Sequence, residues 1–412
     1  MSEWTTVYLG ENCRIRTGKK DVNEGSPKGQ YPFFTCSRDV SASDEYSFDT
    51  EAILIAGNGD VGNLHYYNGK FEAYQRTYVL DNFEINSHYV YQYLLGNILS
   101  ALEKEKVGTS IPYIKLGHLT NFPIFLPKST KLQNKIAGIL LVIDQEIEQT
   151  EALIEKYQQI KAGLMHDLFT RGIGVDGKLR PPREQAPALY QQTPIGWIPK
   201  EWKVSSLASL LLDIQAGKSP NCIDIPATTG DWGVLKVSAV HPDGFRSDQN
   251  KSIASLSHIE SSYEVKSGDL LMSRANTPDL VGLVCLVSDP QPKLMLCDKT
   301  LKLIVNQSIA STNFIFFCMQ QHYVRNQIEI SATGTSMSMK NIGQSAIRAI
   351  RVAYPPLEEQ LLIVGKLNSI ESRLLREKLI SQKLQKQKSG LMYDLLTGKV
   401  QVPINTTEAE HV

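Results

Sequence analysis

The chain has 412 residues, 42% hydrophobic and 21% charged, enough for two or three packed domains. No apolar run nears the roughly 20 residues that a bilayer crossing needs, so no membrane association is expected. The 43 basic and 43 acidic residues cancel, which argues against a strong stand-alone binder of nucleic acid.

The N-terminus, MSEWTTVYLGENCRI, lacks a basic stretch followed by an apolar one, so no signal peptide is expected. The six cysteines (13, 36, 222, 285, 297, 318) form no C-x-x-C and have no histidine at metal-ligand spacing. They predict reduced thiols of a cytoplasmic protein and no metal site.

From Trp4 the chain alternates short β-branched or aromatic runs with Gly, Pro and Asn: YPFFTC, EAILIA and TYVL are expected strands of a compact sheet domain, with a helix over His88–Leu102. After EAILIA comes G-x-G-x-x-G at Gly57, Gly59 and Gly62, and Asp81 follows where a dinucleotide loop would place its ribose carboxylate. A dinucleotide site needs a helix directly after the glycines, because that helix N-terminus holds the pyrophosphate. Here NLHYYNGKFEAYQRTYVL follows, and Asn68-Gly69 predicts a hairpin, strand–turn–strand. The glycines therefore read as a turn and not as a cofactor site.

From Thr130 to Thr170 the character changes. There is no proline, and Ile136, Leu140, Ile143, Ile147, Ile154, Tyr157, Leu164 and Leu168 recur in threes, fours or sevens. That is a helical stripe near a 3.5-residue period, as a coiled-coil seam requires, on a rod of about 60 Å. A connector rich in proline, GIGVDGKLRPPREQAPALYQQTPIGWIPKEW, is expected to be extended and semi-rigid.

After the connector the first half is written again. GLMHDLFTR (163–171) recurs as GLMYDLLTG (390–398) at an offset of 227, and QNKIAGIL (133–140) as QLLIVGKL (360–367) at the same offset. FPIFLP precedes the first helix and IRVAYPP the second; GTSI (108–111) matches GTSM (334–337). W-x-x-V-x-L from Trp4 loosely matches W-x-V-x-x-L from Trp202. GVLKVS, GDLLMS and LKLIV are the strands of the second copy, with a helix over Ser311–Ile328. DLLMSRANTPDLVGL is the counterpart of the glycine loop and keeps only its last glycine.

The second stripe carries Ile363, Leu367, Ile370, Leu374, Leu384, Leu391 and Leu395. Both stripes are interrupted at the same place, Thr150 and Glu377, read either as a solvated mid-rod position or as a register device.

The expected fold is therefore an α/β (α+β) tandem repeat. Two globular sheet-containing domains, 1–128 and 201–356, alternate with helical regions at 129–173 and 357–400, with a connector at 174–200 and a tail at 401–412. The two long helices pair as an antiparallel coiled coil with pseudo-twofold symmetry. Two related domains on a rod suit a ligand with two spaced sites, such as double-stranded DNA, the rod length setting the spacing. A protein-binding scaffold and a cofactor enzyme at Gly57–Gly62 are the competing readings. The sequence has no G-x-x-x-x-G-K-[ST], H-E-x-x-H or G-x-S-x-G, and no Asn/Asp-Pro-Pro-aromatic run of an adenine methyltransferase.

The order of elements resembles the specificity subunit of type I restriction–modification systems. The resemblance rests on P-x-x-x-x-Q-x-x-I-like helix starts (Pro355, Gln360, Ile363; more loosely Pro127, Gln133, Ile136), on GLM-x-DL-[FL]-T in both copies, and on PIGWIPKEWKV opening the second domain. It implies two target recognition domains that each read half of a split DNA sequence. It also implies helices that dock two methyltransferase subunits, restriction subunits joining them, and no catalysis in this chain. S-adenosylmethionine, ATP and Mg are then used by the partners, with no cofactor here.

On that resemblance, polar loops at strand ends are the candidate DNA contacts: Lys19, Lys20, Asn58 and Arg76 in the first domain, Lys218, Arg274, Asn276 and Lys340 in the second. Thr109–Ser110 and Thr335–Ser336 are candidate phosphate donors. Ile136, Leu140, Ile143, Ile147, Leu164, Ile363, Leu367, Ile370, Leu374 and Leu391 are the candidate helix–helix or partner-docking positions.

Overall fold

The computed structural model describes residues 3–104, 113–290, 292–336 and 339–403. Thr109–Ser110 lie outside the described residues. The chain forms two compact units, one from 1–155 with 376–412, the other from 156–375. No helix among the described residues is long and apolar enough to cross a membrane.

Unit 1 contains β1 (Trp4–Tyr8), β2 (Arg14–Thr17), β3 (Tyr31–Phe34), β4 (Ser41–Ser43), β5 (Phe48–Ala56), β6 (Leu64–Ala73), β7 (Thr77–Asp81), α1 (Ser87–Lys104) and β8 (Pro123–Pro127). The six-stranded sheet runs β2-β7-β5-β6-β3-β4, and β1 pairs antiparallel with β8. Central strand β5 shows why AILIA is apolar throughout. Ile53 and Ile55 pack with Tyr89, Val90, Leu94 and Ile98 of α1, while Ala52 and Leu54 pack with Phe34, Phe48 and Phe71 on the other face. Alternation along the strand feeds two cores. At the start of α1, Ser87 Oγ donates to Glu51 Oε1 (2.6 Å) and Tyr66 also donates to Glu51, which docks the helix on the sheet.

The hairpin turn is at Gly57–Asn63, where Gly59 and Gly62 take positive φ, and Asn68-Gly69 is not a turn. That pair lies inside β6, opposite Glu51 and Thr50 of β5. The glycine loop had already reversed the chain, so the Asn-Gly dipeptide, with Gly69 at φ 134, is absorbed into the strand.

In unit 2 the connector is folded rather than extended. It carries a hairpin of β9 (Tyr190–Thr193) and β10 (Gly196–Pro199), and it buries Ile173, Tyr190 and Ile198. The reason is Glu359. Its carboxylate accepts from Ile173 N (2.8 Å), Trp202 Nε1 (3.1 Å) and both ends of the Arg180 guanidinium (2.6 and 2.9 Å).

Beyond the connector, β11 (Lys203–Ser206) leads to β12 (Leu211–Ala216), β13 (Leu270–Ser273), β14 (Ala275–Asn276), β15 (Val284–Leu286) and β16 (Thr300–Val305). A four-stranded sheet of order β12-β16-β13-β15 matches β2-β7-β5-β6 of unit 1. In a second sheet, Trp232–Leu235 pairs parallel with Lys293–Met295 and antiparallel with Asn250–Ile253, as β3 pairs with β6 and β4 in unit 1, and Cys222–Ile223 is added at its edge. The single helix expected at Ser311–Ile328 is two, α2 (Thr312–Met319) and α3 (His322–Ser331). The chain turns extended at Gln321, which lets Phe314 and Phe317 and then Val324 and Ile328 all reach the core. Then β17 (Met339–Asn341) pairs with β14, and β18 (Arg351–Tyr354) pairs with β11.

The two long helices are α4 (Thr130–Thr170) and α5 (Leu357–Leu396), numbered here after the shorter ones. Each starts on a buried glutamine held in the same way. Gln133 donates to Pro127 O (2.9 Å) and accepts from Asn86 N. Gln360 donates to Pro355 O (2.9 Å) and Ile309 O (3.0 Å) and accepts from Ser311 N (2.9 Å). An amide supplies both a donor and an acceptor to these backbone groups, which is why this position is polar inside a core.

Within each unit the helices run antiparallel. Asp144 pairs with Lys388 (2.6 Å) in unit 1 and Lys161 with Glu371 (2.7 Å) in unit 2. The offset of 227 carries Asp144 onto Glu371 and Lys161 onto Lys388, so one interaction is present in two copies. Ile136, Leu140, Ile143, Ile363, Leu367 and Ile370 are buried, Leu164 and Leu391 partly so, and Ile147 and Leu374 are half-buried. Ile136 and Leu140 close the unit 1 core with Ile124, Leu126, Leu395 and Leu396. Ile363 and Leu367 close that of unit 2 with Leu168 and Phe169. The buried positions thus serve the chain's own packing.

Thr150 is buried, not solvated, and its hydroxyl donates to Glu146 O (2.7 Å). At the level of Thr150 the buried polar residue of the second helix is Ser381 and not Glu377, as the Asp144–Lys388 register sets it.

Candidate nucleic-acid interface

In unit 1 four loops meet at one rim of the sheet. Gly18 is pressed on the Ala73 carbonyl, and Lys20 bridges Tyr74. Gly57 N donates to Arg76 O (2.9 Å), and Ile114 N to Gly57 O (2.8 Å). Asp60 N reaches Cys36 O, and Asn63 Nδ2 reaches Ser37 O. Lys19, Lys20, Asn58 and Arg76 therefore share this rim. A shallow depression of about 410 Å³, lined in part by Thr35, Cys36, Ser37, Asp60 and Tyr74, adds donors and acceptors of the size that base edges use.

Unit 2 builds the same rim. Gly217 is pressed on the Leu296 carbonyl, Arg274 N donates to Lys299 O (2.8 Å), and Ile342 N donates to Arg274 O (3.0 Å). Asn276 sits opposite Lys340 across the β14–β17 pair. Lys218, Arg274, Asn276 and Lys340 come together here.

The candidates differ in what remains free. Lys20 is tied to Glu45 (2.9 Å), Lys218 to Glu260, and Lys340 donates to Gly334 O (2.9 Å). The partner Glu45 and the partner Glu260 raise the pKa of their lysines, chiefly through the hydrogen bond. Asn276 accepts from Thr277 N, which leaves its amide N–H groups. Lys19 and Arg76 are exposed, Asn58 and Arg274 half-buried, and none of the four has a side-chain partner among the described residues. Thr335 and Ser336 fall at the end of the strand Thr333–Ser336.

Sequence reasoning missed Lys299, exposed at the unit 2 position that corresponds to Arg76. A signal existed: Q-R-T-Y-V-L and D-K-T-L-K-L each place a cation and a threonine at the start of a strand.

Asp81 is not available to a ribose. It is fully buried between Arg14 (2.8 and 3.0 Å) and Arg16, across the β2–β7 pair. Burial alone would raise its pKa, but the hydrogen bonds from Arg14 and Arg16 outweigh it and hold it below the usual carboxylate value. A depressed folded-state pKa stabilises above the unfolded value of about 3.9 and is lost as pH falls through the folded one. Unit 1 should therefore lose stability below about pH 4, and Asp81→Asn should be less stable than the parent at pH 7 but converge on it in acid. Urea midpoints of both proteins at pH 7 and pH 3 test this; a gap that stays constant with pH would contradict it. The Cys13, Cys285 and Cys318 thiols are pushed up to about 12, mainly by burial, and so remain protonated packing groups.

Each unit thus combines a sheet rim, offering cations and amides at strand ends, with an antiparallel pair of helix segments. Residues 1–159 match the type I restriction modification DNA specificity domain, and most of the chain is similar to specificity subunits of type I restriction enzymes. It is 28% identical over 389 residues to the EcoDI specificity subunit of a type I restriction enzyme from Escherichia coli, covering 89% of this chain and 81% of that one. It is 23% identical over 432 residues to the MjaVIII specificity subunit of Methanocaldococcus jannaschii, covering 97% and 93%. The fold is similar to the crystal structure of the S subunit of a type I restriction-modification system from M. genitalium, with a TM-score of 0.68 at 15% identity, over 95% of this chain and 96% of that one.

Proposed function

We propose that this chain is the non-catalytic recognition subunit of a type I restriction–modification complex, and that each unit reads one half of a bipartite target in double-stranded DNA. The observation that carries the reading is the rim itself: one backbone frame built twice, with different side chains on it. Because those side chains differ, the two half-sites differ and the target is asymmetric. The helices dock two methyltransferase subunits, and restriction subunits join the assembly. S-adenosylmethionine, ATP and Mg act in those partners, and this chain takes no cofactor.

With zero net charge, most phosphate attraction comes from the partners, so the isolated chain binds DNA weakly and with strong salt dependence. A genome-wide map of N6-methyladenine, with and without the gene, tests the reading. Loss of methylation at one split, asymmetric motif is the expected result. An unchanged map, with this chain and its methyltransferase both expressed, would overturn it.

A further inference from the structure

We infer, on the basis of the DNA-reading role proposed above, that the rim divides its labour: Arg76 and Lys299 hold a phosphate at the same place in both units, while the backbone position shared by Gly57 and Arg274 makes the units read differently, with Arg274 contacting a guanine.

The equivalence of the positions is a matter of hydrogen bonds. Ala56 N donates to Asn63 O (2.9 Å) and Ser273 N to Leu283 O (2.8 Å). Gly62 N donates to Ala56 O (3.0 Å) and Gly282 N to Ser273 O (2.8 Å). The next residue, Gly57 or Arg274, donates to the carbonyl of Arg76 or Lys299 and accepts from Ile114 or Ile342. Thr77 and Thr300, which follow the two cations, are both buried. Each position of this frame is therefore the same place in the fold, seen twice.

What stands at each position then separates the roles. At 76 and 299 both copies keep an exposed cation with no side-chain partner among the described residues. A charge common to both units cannot distinguish two half-sites, and phosphate is the feature that every half-site shares. Arginine in one copy and lysine in the other serve that contact equally, one as a fork and one as a point charge.

At 57 and 274 the copies diverge completely. A side chain on Gly57 would begin 2.6 Å from the Arg76 carbonyl and 3.1 Å from the Tyr78 ring, so unit 1 admits none. Unit 2 carries a guanidinium at the same node. Arg274 is half-buried and has no side-chain partner among the described residues, whereas Arg171, Arg180, Arg325 and Arg348 of the same unit each have a carboxylate or carbonyl partner. A partly desolvated guanidinium whose donors meet no partner among the described residues is prepared for an external acceptor, and guanine O6 and N7 match its two-pronged geometry.

The test uses the full chain assembled with its methyltransferase subunits, and duplexes carrying the mapped motif with each position varied. Arg274→Ala should keep the motif in the unit 1 half and lose, on the order of tenfold to a hundredfold, its preference for one guanine in the other half. Arg76→Ala and Lys299→Ala should leave the motif intact and each reduce the slope of log affinity against log salt by about 0.9. Thermal unfolding of each variant, matched to the parent, ensures that the readout is of contact and not of folding. Two results overturn the division: an Arg274→Ala complex that weakens on all sequences alike, or a change of motif on losing Arg76 or Lys299. A parent complex that recognises no split motif at all would remove the DNA reading first, and this inference with it.

Discussion

Replacing Glu359 by alanine is expected to cost unit 2 about 3–5 kcal/mol, a large share of the roughly 5–15 kcal/mol that holds a domain folded. The side chain is nearly buried, and so is that of Arg180. Its removal takes the acceptor from the Trp202 indole N–H and the Ile173 backbone N–H, and leaves the guanidinium with Glu201 at 3.3 Å and the Arg171 carbonyl at 3.2 Å. The loss is of satisfaction more than of attraction: a buried ion pair contributes little net stability, whereas half of one is strongly unfavourable. Replacing Glu359 and Arg180 together by leucine should accordingly recover much of the loss. Hydrogen exchange over residues 156–375 in urea reports the unit concerned. A shift below about 1 kcal/mol in the alanine protein would mean that water or Glu201 takes over the bonds, and the anchoring role would be lost.

This anchor was invisible in the sequence, and the reason is physical. Glu359 meets Arg180 and Ile173 across about 180 residues, and no periodicity or turn rule reaches that far. What could be read was local or repeated. The helix stripes followed from 3.5-residue spacing, and the helix-starting glutamines Gln133 and Gln360 stood out because the duplication printed them twice. Strands such as β5 and β7 announced themselves by composition. The glycine loop was read as a turn, which it is, but a second turn was placed at Asn68-Gly69, which lies inside β6. Gly57–Asn63 and Asn68-Gly69 are both good turn chemistry, and only the pairing of β5 with β6 decides between them. The connector looked extended because its prolines are conspicuous, while the few apolar groups that fold it, Ile173 and Ile198, are not.

The rim was legible in part for the same reasons. Loops at strand ends can be guessed, so Lys19, Arg76 and Arg274 were within reach. Which lysines are already engaged could not be, because Glu45 and Glu260 lie 25 and 42 residues from Lys20 and Lys218. Lys299 needed the two copies laid over one another by their hydrogen bonds, and the differing loop lengths hide that alignment in the sequence.

Gly18→Ala and Gly217→Ala should each damage one rim and spare the other. A Cβ on Gly18 would lie 1.9 Å from the Ala73 carbonyl oxygen and 2.2 Å from its carbon; on Gly217 the same distances to Leu296 are 2.0 and 2.2 Å. Both obstacles are backbone, so no rotamer change relieves them, and the end of β2 or β12 must move away from its neighbour. Overpacking of this kind costs about 1–3 kcal/mol and at times more, and a contact this short against backbone belongs at the upper end. Gly138, in α4 with nothing within 4 Å of its Cβ position, is the control; alanine there should be neutral or stabilise by up to about 1 kcal/mol. Because Lys19 and Lys218 directly follow the two glycines, the displacement carries a rim cation with it. If each unit reads its own half-site, Gly18→Ala should disturb base preference only in the half read by unit 1, and Gly217→Ala only in the other, when the assembled complex methylates a library of varied duplexes. Identical damage to both halves from either substitution would mean that the rims do not act separately, and the role assigned to the duplicated frame would have to be given up.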